Sequence, residues 1–375
     1  MSIPTDVLKR EERAIYQLRE LYKTYGYSLY KVSKFEEYDL YAHNKSFLVS
    51  QNVLTFTDTN GKLLALKPDV TLSIIKNIPD GDTVTHKLCY NENVYRPSSE
   101  SDGFREIMQT GLECIGNIDL YAECEVIMLA MRSLQTISQD WMLDLSHMGL
   151  IEGLLEEAGI QISEQLAFVQ LIESKNAHSL KALCDRCGIS SDMKARLVAF
   201  TELYSPLAEV LPVLQPMIVG EKMQQAYEHL EKICDVMRMY GLQDRLYLDF
   251  SIVSDVNYYD GISFKGFING VPDSVLSGGR YDRLLHRLGK SCGAIGFAVY
   301  LDRLERLEDH GTRYDVDVVL VYEEGTPVQQ ILETQNTLVC EGKRIITTSV
   351  CDKSLRYRQL IKLTNGGMEV LESND

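Results

Sequence analysis

Long apolar runs are missing from this sequence. No stretch of its 375 residues reaches the roughly 20 apolar residues that a membrane-spanning helix requires. The first residues, Met1 to Arg13, also lack the apolar core of a secretory signal peptide. From these two absences we expect a cytoplasmic protein.

Paired metal-binding residues are scarce as well. The nine cysteines include one C-x-x-C, formed by Cys184 and Cys187. No second such pair, and no histidine pair, stands at the spacing of a zinc site. A lone C-x-x-C is weak evidence for metal binding, so we expect reduced thiols, no metal site and no cofactor.

Positive charge is in short supply. Lys and Arg number 38 against 54 Asp and Glu, which gives a net charge of −16, and no basic run is visible. Binding to nucleic-acid backbones depends on Lys and Arg. The charge balance therefore favours a protein or small-molecule partner over a nucleic acid.

What is present is typical of a globular protein. Hydrophobic residues make up 45% and charged residues 25% of the chain. The length exceeds what one compact core usually holds, which predicts two or three domains. Helices mixed with hairpin-linked strands predict the α+β class.

The first half of the chain alternates helices with strands. Apolar spacing from Asp6 to Tyr25 predicts an amphipathic helix that Gly26 ends. The segment Asp58-Thr-Asn-Gly61 predicts a hairpin turn. Further strands are predicted at 27–32, 53–57, 63–66, 87–96 and 107–115, and a helix at 121–136.

The second half begins with a helical stretch. Residues 151–241 have helical periodicity, which predicts a separate inserted lobe. Strands at 246–252, 262–268 and 294–298, a helix at 301–307, a linker at 309–312 and a strand–helix–strand tail (315–322, 327–340, 344–348) follow. We expect a core segment at 1–145, a helical insertion at 146–241, a second core segment at 242–310 and a small α/β tail at 313–375.

Asp69 and Thr71 form the first candidate site. A carboxylate and a hydroxyl two residues apart on an extended segment point to one side and can bind an ammonium group. The alternative is that Asp69 only caps the following helix.

The second candidate is a predicted strand with a polar face. Arg105, Gln109 and Glu113 share that face, because strand side chains alternate. The polar loop before it, Pro97 to Gly103, could cover a ligand. A plain solvent-exposed sheet face is an equal alternative.

The third candidate combines glycines with arginines. Paired glycines in Ser277-Gly-Gly-Arg-Tyr-Asp282 let a backbone approach a ligand, and Arg280 and Arg303 could bind a phosphate or carboxylate. The pattern is neither a P-loop nor a Rossmann fingerprint. The glycines could equally be turn residues.

In this order, the segments resemble the histidyl-tRNA synthetase branch of the class II synthetases. Pro68-Asp-Val-Thr71 is similar to its Pro-Glu-Gly-Thr, Arg105-Glu-Ile-Met-Gln-Thr-Gly111 to the end of motif 2, and Gly296-Phe-Ala to Arg303 to motif 3. The resemblance implies a dimeric protein with a six- or seven-stranded antiparallel sheet, flanking helices and a helical insertion. The tail resembles the first part of an anticodon-binding domain.

The resemblance also implies a histidine pocket. Asp69, Thr71 and Gln109 stand where that family binds the ammonium group, and the tyrosines where it surrounds the imidazole. The implied histidine-binding set is Asp69, Thr71, Arg105, Gln109, Glu113, Tyr258, Tyr259 and Tyr281. The arginines that could hold a phosphate or nucleotide are Arg96, Arg280 and Arg303.

Several catalytic positions depart from that family. Counted back from Arg96-Pro97, the arginine of the Phe-Arg-x-Glu pattern becomes Asn93 and its glutamate becomes Tyr95. The arginine of the signature Arg-Gly-Leu-Asp-Tyr-Tyr becomes Ser254, and the motif 1 proline becomes Ser33. Adenylate formation needs preorganised cations. We therefore expect no synthetase catalysis.

A histidine pocket without that chemistry is similar to the regulatory subunits of ATP phosphoribosyltransferase. Cys89-Tyr-Asn-Glu-Asn-Val-Tyr-Arg96 and Tyr258-Tyr-Asp-Gly-Ile-Ser-Phe264 carry this likeness. It implies a hetero-octamer with the short-form catalytic subunit, which the chain activates and histidine inhibits. The alternatives are a histidyl-tRNA synthetase-like enzyme and another histidine-binding regulatory module on the same fold.

Overall fold

The computed structural model describes residues 8–45, 48, 52–79, 84–98, 103–255, 259–306, 314–352, 354–364 and 366–374. Side chains of residues 253–255 and 305–306 lie outside this description. The chain divides into two compact units, Met1–Leu307 and Glu308–Asp375.

The helices are α1 (Arg10–Thr24), α2 (Tyr38–Ala42), α3 (Thr71–Lys76), α4 (Leu120–Ile137), α5 (Met148–Glu157), α6 (Ile162–Glu173), α7 (Ala177–Arg186), α8 (Ser191–Glu202), α9 (Leu207–Leu214), α10 (Gly220–Met239), α11 (Asp282–Arg287) and α12 (Val328–Cys340).

The strands are β1 (Ser28–Leu29), β2 (Phe35–Glu37), β3 (Thr55–Thr57), β4 (Leu63–Leu66), β5 (His86–Pro97), β6 (Phe104–Gly116), β7 (Trp141–His147), β8 (Tyr204–Pro206), β9 (Leu246–Asp249), β10 (Ile262–Ile268), β11 (Leu276–Arg280), β12 (Gly293–Tyr300), β13 (Val316–Tyr322), β14 (Ile345–Thr348), β15 (Tyr357–Thr364) and β16 (Gly367–Ser373).

A large mixed sheet organises the first unit. Within the described residues its order is β1-β5-β6-β12-β11-β10-β7-β9-β8. The strands from β5 to β7 in this order pair antiparallel throughout, whereas β1 pairs parallel with β5 and β9 with β7. The antiparallel centre agrees with the predicted α+β class.

One face of this sheet packs on helices. Leu112 and Phe297 of the sheet share a hydrophobic core with Leu18 and Tyr22 of α1 and with α4. The hydroxyl groups of Tyr22 and Ser133 are 3.0 Å apart and link the two helices. The opposite face is therefore the one that remains for a ligand.

The helices within residues 146–241 belong to the same compact unit as the sheet. Helix α10 contacts α5 and α4, and Met223 and Leu230 join the core that the sheet forms. These helices bury their apolar faces against the core that the sheet forms, and the predicted separate lobe stays a prediction. The four-part division of the chain stays a prediction.

The second unit is a small sheet with one helix packed on it in the described part. Its order is β14-β13-β15-β16, with parallel pairs around β13 and an antiparallel β15–β16 hairpin. Leu338 of α12 packs on Val318 and Leu320 of β13. The predicted strand–helix–strand tail is present, but β15 and β16 extend it beyond what the sequence predicts.

Two central strands escaped prediction. β7 follows α4 without a turn signal, and β11 contains the Gly278-Gly279 pair that favours a turn. A glycine pair is tolerated in β11 because the neighbouring strands satisfy its backbone on both sides. The predicted helix at 301–307 is a 3-10 turn at Leu301–Arg306. The predicted linker at 309–312 lies outside the described residues.

Candidate functional site

On the face of the sheet opposite α1 and α4, glycines occupy the positions beside Glu113. In register, Glu113 of β6 lies opposite Gly296 of β12, which lies opposite Gly279 of β11. A Cβ atom on Gly296 would overlap the Glu113 carboxylate. The lack of side chains at these two positions leaves the Glu113 side chain room on the sheet.

Two hydroxyl groups hold the Glu113 carboxyl group. Thr71 Oγ1 donates to Glu113 Oε1 at 2.7 Å, and the Tyr281 hydroxyl donates to Oε2. Burial raises the pKa of Glu113 to about 8, the two hydroxyl groups lower it, and the charge of Asp69 raises it. Burial thus favours the protonated form of Glu113, whereas the two hydroxyl donors favour the carboxylate, and a nearby cation would favour the carboxylate further.

Asp69 lies beside this group and also caps α3. Its Oδ1 accepts a hydrogen bond from the Leu72 amide at 2.9 Å, so the capping alternative describes part of its role. Burial raises the pKa of Asp69, while the Leu72 amide and Arg96 lower it. A carboxylate can accept about four hydrogen bonds, so capping does not exclude a ligand.

Gln109 presents an unpaired amide to the same face. Only 2% of the residue is exposed, and its Nε2 has no hydrogen-bond partner among the described residues. Glu92 and Tyr300 flank it in register on the neighbouring strands. A buried donor without a partner costs about 1–3 kcal/mol, which is a cost that a ligand acceptor would remove.

The structure describes two of the three tyrosines that were predicted to line the pocket. Tyr281 is buried and bonded to Glu113. The ring of Tyr259 covers Gly279, because a Cβ atom on that glycine would meet its ring carbons. Tyr258 lies outside the described residues.

The structure corrects the position of the motif 2 arginine. The β5–β6 register runs without a break from His86 opposite Ile115 to Pro97 opposite Phe104. Because strand side chains alternate, Arg96 faces the same side as Gln109, whereas Asn93 and Tyr95 face the other side.

Hydrogen bonds agree with this assignment. Arg96 Nε donates to the Pro68 carbonyl at 2.9 Å, next to Asp69. The Asn93 amide and the Tyr95 hydroxyl both donate to Glu106 Oε1 instead. Arg96 rather than Asn93 is thus the residue of this strand that faces the pocket, so the predicted position of the motif 2 arginine at Asn93 does not agree with the register.

The other predicted arginines, Arg105, Arg280 and Arg303, do not all lie at the pocket. Arg303 donates to the Ser274 carbonyl and lies 4.5 Å from the Tyr300 ring centroid, next to Gln109. Arg105 is half exposed and 3.8 Å from Asp302. Arg280 faces the helix-covered side of the sheet, where Glu123 and Asp282 bind its guanidinium at 2.6 and 2.8 Å.

Sequence reasoning missed three neighbours of the pocket. Tyr90 lies opposite Gly111 on the same face, and a Cβ atom on that glycine would meet the tyrosine hydroxyl. Lys67 is 1% exposed and pairs with Glu92 at 2.5 Å. The alternation that groups Gln109 with Glu113 also groups Tyr90 with Glu92 once the hairpin register is known.

The structure gives few contacts for the other two positions at which the sequence departs from the synthetase pattern, Ser33 and Ser254. Ser33 Oγ donates to the Phe35 carbonyl at 2.7 Å and is exposed. Residue 254 lies in the 3-10 turn Phe250–Asp255, and its side chain is outside the description.

The described part of the chain contains no group of three His, Cys, Asp or Glu residues that could hold a metal ion. Among the described helices, none has the length and apolarity to span a membrane.

Comparison with known proteins gives a consistent picture. A family model described as histidyl-tRNA synthetase matches residues 3–304. An ATP phosphoribosyltransferase regulatory subunit from Oceanobacillus iheyensis is 26% identical over 100% of this chain and 93% of its own. Another from Clostridium kluyveri is 30% identical over 81% of this chain and 80% of its own.

Solved structures share the fold. An ATP phosphoribosyltransferase regulatory subunit/histidyl-tRNA synthetase from Bacillus halodurans has a TM-score of 0.75 at 24% identity, covering 94% of this chain and 93% of that one. A chain of the ATP phosphoribosyl transferase (HisG:HisZ) complex from Thermotoga maritima has a TM-score of 0.62 at 18% identity, covering 78% and 97%. The class II synthetase-like fold that the motifs predict is confirmed.

Proposed function

Because the chain belongs to the ATP phosphoribosyltransferase regulatory subunit family, on the histidyl-tRNA synthetase branch, we propose that it is a non-catalytic activator of the short-form catalytic subunit. The proposal places it in the first step of histidine biosynthesis. Histidine, the end product of the pathway, binds to this chain and reverses the activation of the catalytic subunit. The assembly is a hetero-octamer built on a self-dimer of this chain.

One observation supports the histidine-sensing part: the buried Gln109 Nε2 has no hydrogen-bond partner within the described part of the chain. It shares a sheet face with Glu113, whose carboxyl group Thr71 and Tyr281 hold in place. Asp69 adds a second, partly buried carboxyl group. This set can accept hydrogen bonds from an ammonium group and an imidazole, and it offers an amide donor to a carboxylate.

Histidine titration by calorimetry tests the pocket. We expect the wild-type chain to bind histidine and Gln109→Met to bind it roughly 5- to 150-fold more weakly, the range of about 1–3 kcal/mol for a lost buried hydrogen bond. Gln224→Met, on the exposed surface of α10, is the matched control and should bind like the wild type. No binding by the chain or by its complex would contradict the sensing part.

The regulation we propose is a shift between two states of the complex. This chain stabilises the active state of the catalytic subunit, and histidine binds the inactive state more tightly. A coupling free energy of about 1–3 kcal/mol gives 5- to 150-fold regulation. Adding the chain to the short catalytic subunit should raise its turnover, and an unchanged turnover would contradict the activation part.

A second candidate function follows from Arg96. This arginine faces the pocket, and Arg303 lies in the 3-10 turn that follows β12, against the Tyr300 ring, so each offers a cation to a phosphate on this face of the sheet. Arg280, the third arginine of the predicted set, is committed to Glu123 and Asp282. An active synthetase would exchange pyrophosphate into ATP when histidine is supplied. We expect no exchange, and measurable exchange would replace the regulatory proposal.

A further inference from the structure

The cleared face of the sheet continues past Tyr259 to a second polar cluster. Gly279 lies opposite Ser263 of β10, and Ser263 lies opposite Ser146 of β7. Asp144 precedes Ser146 by two residues and so shares its face. Ser146 stands four strands from Glu113, about 19 Å at about 4.8 Å per strand, so this cluster is distinct from the histidine pocket.

Two buried oxygen atoms in this cluster have no hydrogen-bond partner among the described residues. They are Asp144 Oδ1, on a residue that is 5% exposed, and Ser146 Oγ, on a residue that is fully buried. Native proteins satisfy nearly all buried polar groups, and an exception needs an explanation. Two oxygens without a described partner, on residues two positions apart on one face of β7, indicate a missing donor or cation.

Charges of both signs surround Asp144. Asp249 of β9 is the nearby carboxylate, and Lys175 Nζ lies 3.1 Å from its Oδ1 while Ser251 donates to both of its oxygens. Lys265 of β10 stands opposite Asp144, and Tyr204 of β8 stands beside Asp249. Burial raises the pKa of Asp144 to about 7, Asp249 raises it and Lys175 lowers it.

We propose that Asp144 and Ser146, with the charge of Asp249 behind them, bind a small monovalent cationic group. A divalent ion fits poorly, because Ca²⁺ takes six to eight oxygen ligands and Mg²⁺ keeps several waters, whereas an ammonium group needs only acceptors for its N–H donors; Asp249 already serves Lys175 and Ser251. Potassium and an ammonium group share the chemistry that the two unpaired oxygens recognise.

Thermal unfolding of the full chain in matched chloride salts tests the site. The probes are potassium, ammonium and methylammonium chloride, with choline chloride at equal ionic strength as the reference. We expect a saturable rise in the unfolding midpoint with at least one probe, since a ligand that binds only the folded state stabilises it. A larger effect of ammonium and methylammonium than of potassium identifies an amine as the occupant.

Variants decide whether the effect belongs to this site. Asp144→Asn and Ser146→Ala should each weaken the apparent affinity for the cation by about 10-fold or more, corresponding to about 1.4 kcal/mol. Asp192→Asn removes the same charge from the exposed surface of α8 and should leave the response unchanged. Equal midpoints in all four salts, or a full response in both site variants, would overturn the proposal. Ser146→Ala keeps the test valid if Asp144→Asn does not fold.

Discussion

Replacing Glu113 by glutamine should flatten the dependence of stability on pH. The amide keeps the size of the side chain and can still bind Thr71 and Tyr281, but it cannot ionise. In the wild type the pKa of Glu113 is about 8, against 4.5 in the unfolded chain. Between these values the folded state holds a proton that the unfolded state has lost.

The sign and size of the effect follow from proton linkage. A carboxyl group with a raised pKa favours the folded state fully only below pH 4.5, and this contribution is lost as the pH rises to about 8. The free energy of unfolding should therefore fall by about 1.4 kcal/mol per pH unit in this window. From pH 5.5 to 7.5 the wild type should lose about 2.5 kcal/mol more than Glu113→Gln.

The only tryptophan provides the assay. Trp141 is 4% exposed in β7, so its fluorescence reports the unfolding of the first unit without a tryptophan signal from the second. Urea denaturation at pH 5.5, 6.5 and 7.5 gives the free energy of unfolding for each variant. Glu202→Gln, at an exposed position of α8, is the control and should follow the wild type. If Glu113→Gln keeps the wild-type slope, the carboxyl group is already ionised and the argument fails.

Three further changes test other contacts. Gly296→Ala should destabilise the first unit by about 1–3 kcal/mol in urea denaturation and abolish histidine binding, because its Cβ overlaps Glu113. Gly159→Ala is strained by its positive φ but its Cβ would meet no neighbour, so it should leave histidine binding unchanged. Lys67→Met should cost about 3–5 kcal/mol in urea denaturation by leaving the largely buried Glu92 carboxylate without its counter-charge, and adding Glu92→Leu should recover much of it. A double variant that recovers no stability would contradict this pairing. Burial, and to a lesser extent the charge of His229, lowers the pKa of His147 to about 4. The free energy of unfolding should therefore fall by about 2–3 kcal/mol from pH 6.5 to 4.5. His147→Asn should not show this loss in urea denaturation followed by Trp141 fluorescence.

The fold was predictable where local signals agree. The helix that ends at Gly26 and the hairpin around Gly61 appear as predicted, since both glycines have a positive φ that few other residues adopt. Strand β11 was not predictable, because its Gly278-Gly279 pair is typical of a turn. Only the pairing of β11 with β10 and β12 makes it a strand, and pairing between distant segments is not visible in a single sequence.

The site was predictable as a set of residues but not as an arrangement. Alternation along one strand correctly grouped Gln109 with Glu113 on one face. Counting along the sequence placed the motif 2 arginine at Asn93, whereas the hairpin register turns Arg96 toward the pocket. The hydrogen bonds that commit Arg280 to Glu123 join residues that are 157 positions apart, so no local pattern could reveal them.

The unbroken register of the β5–β6 hairpin limits how this pocket can evolve. Deleting or inserting one residue in either strand would exchange its two faces, turning Tyr95 inward and Arg96 outward. The same event in β6 would remove Gln109 and Glu113 from the pocket together. Point substitutions within these strands can therefore change the ligand preference, whereas insertions and deletions are compatible with the pocket only in the connection between Pro97 and Phe104.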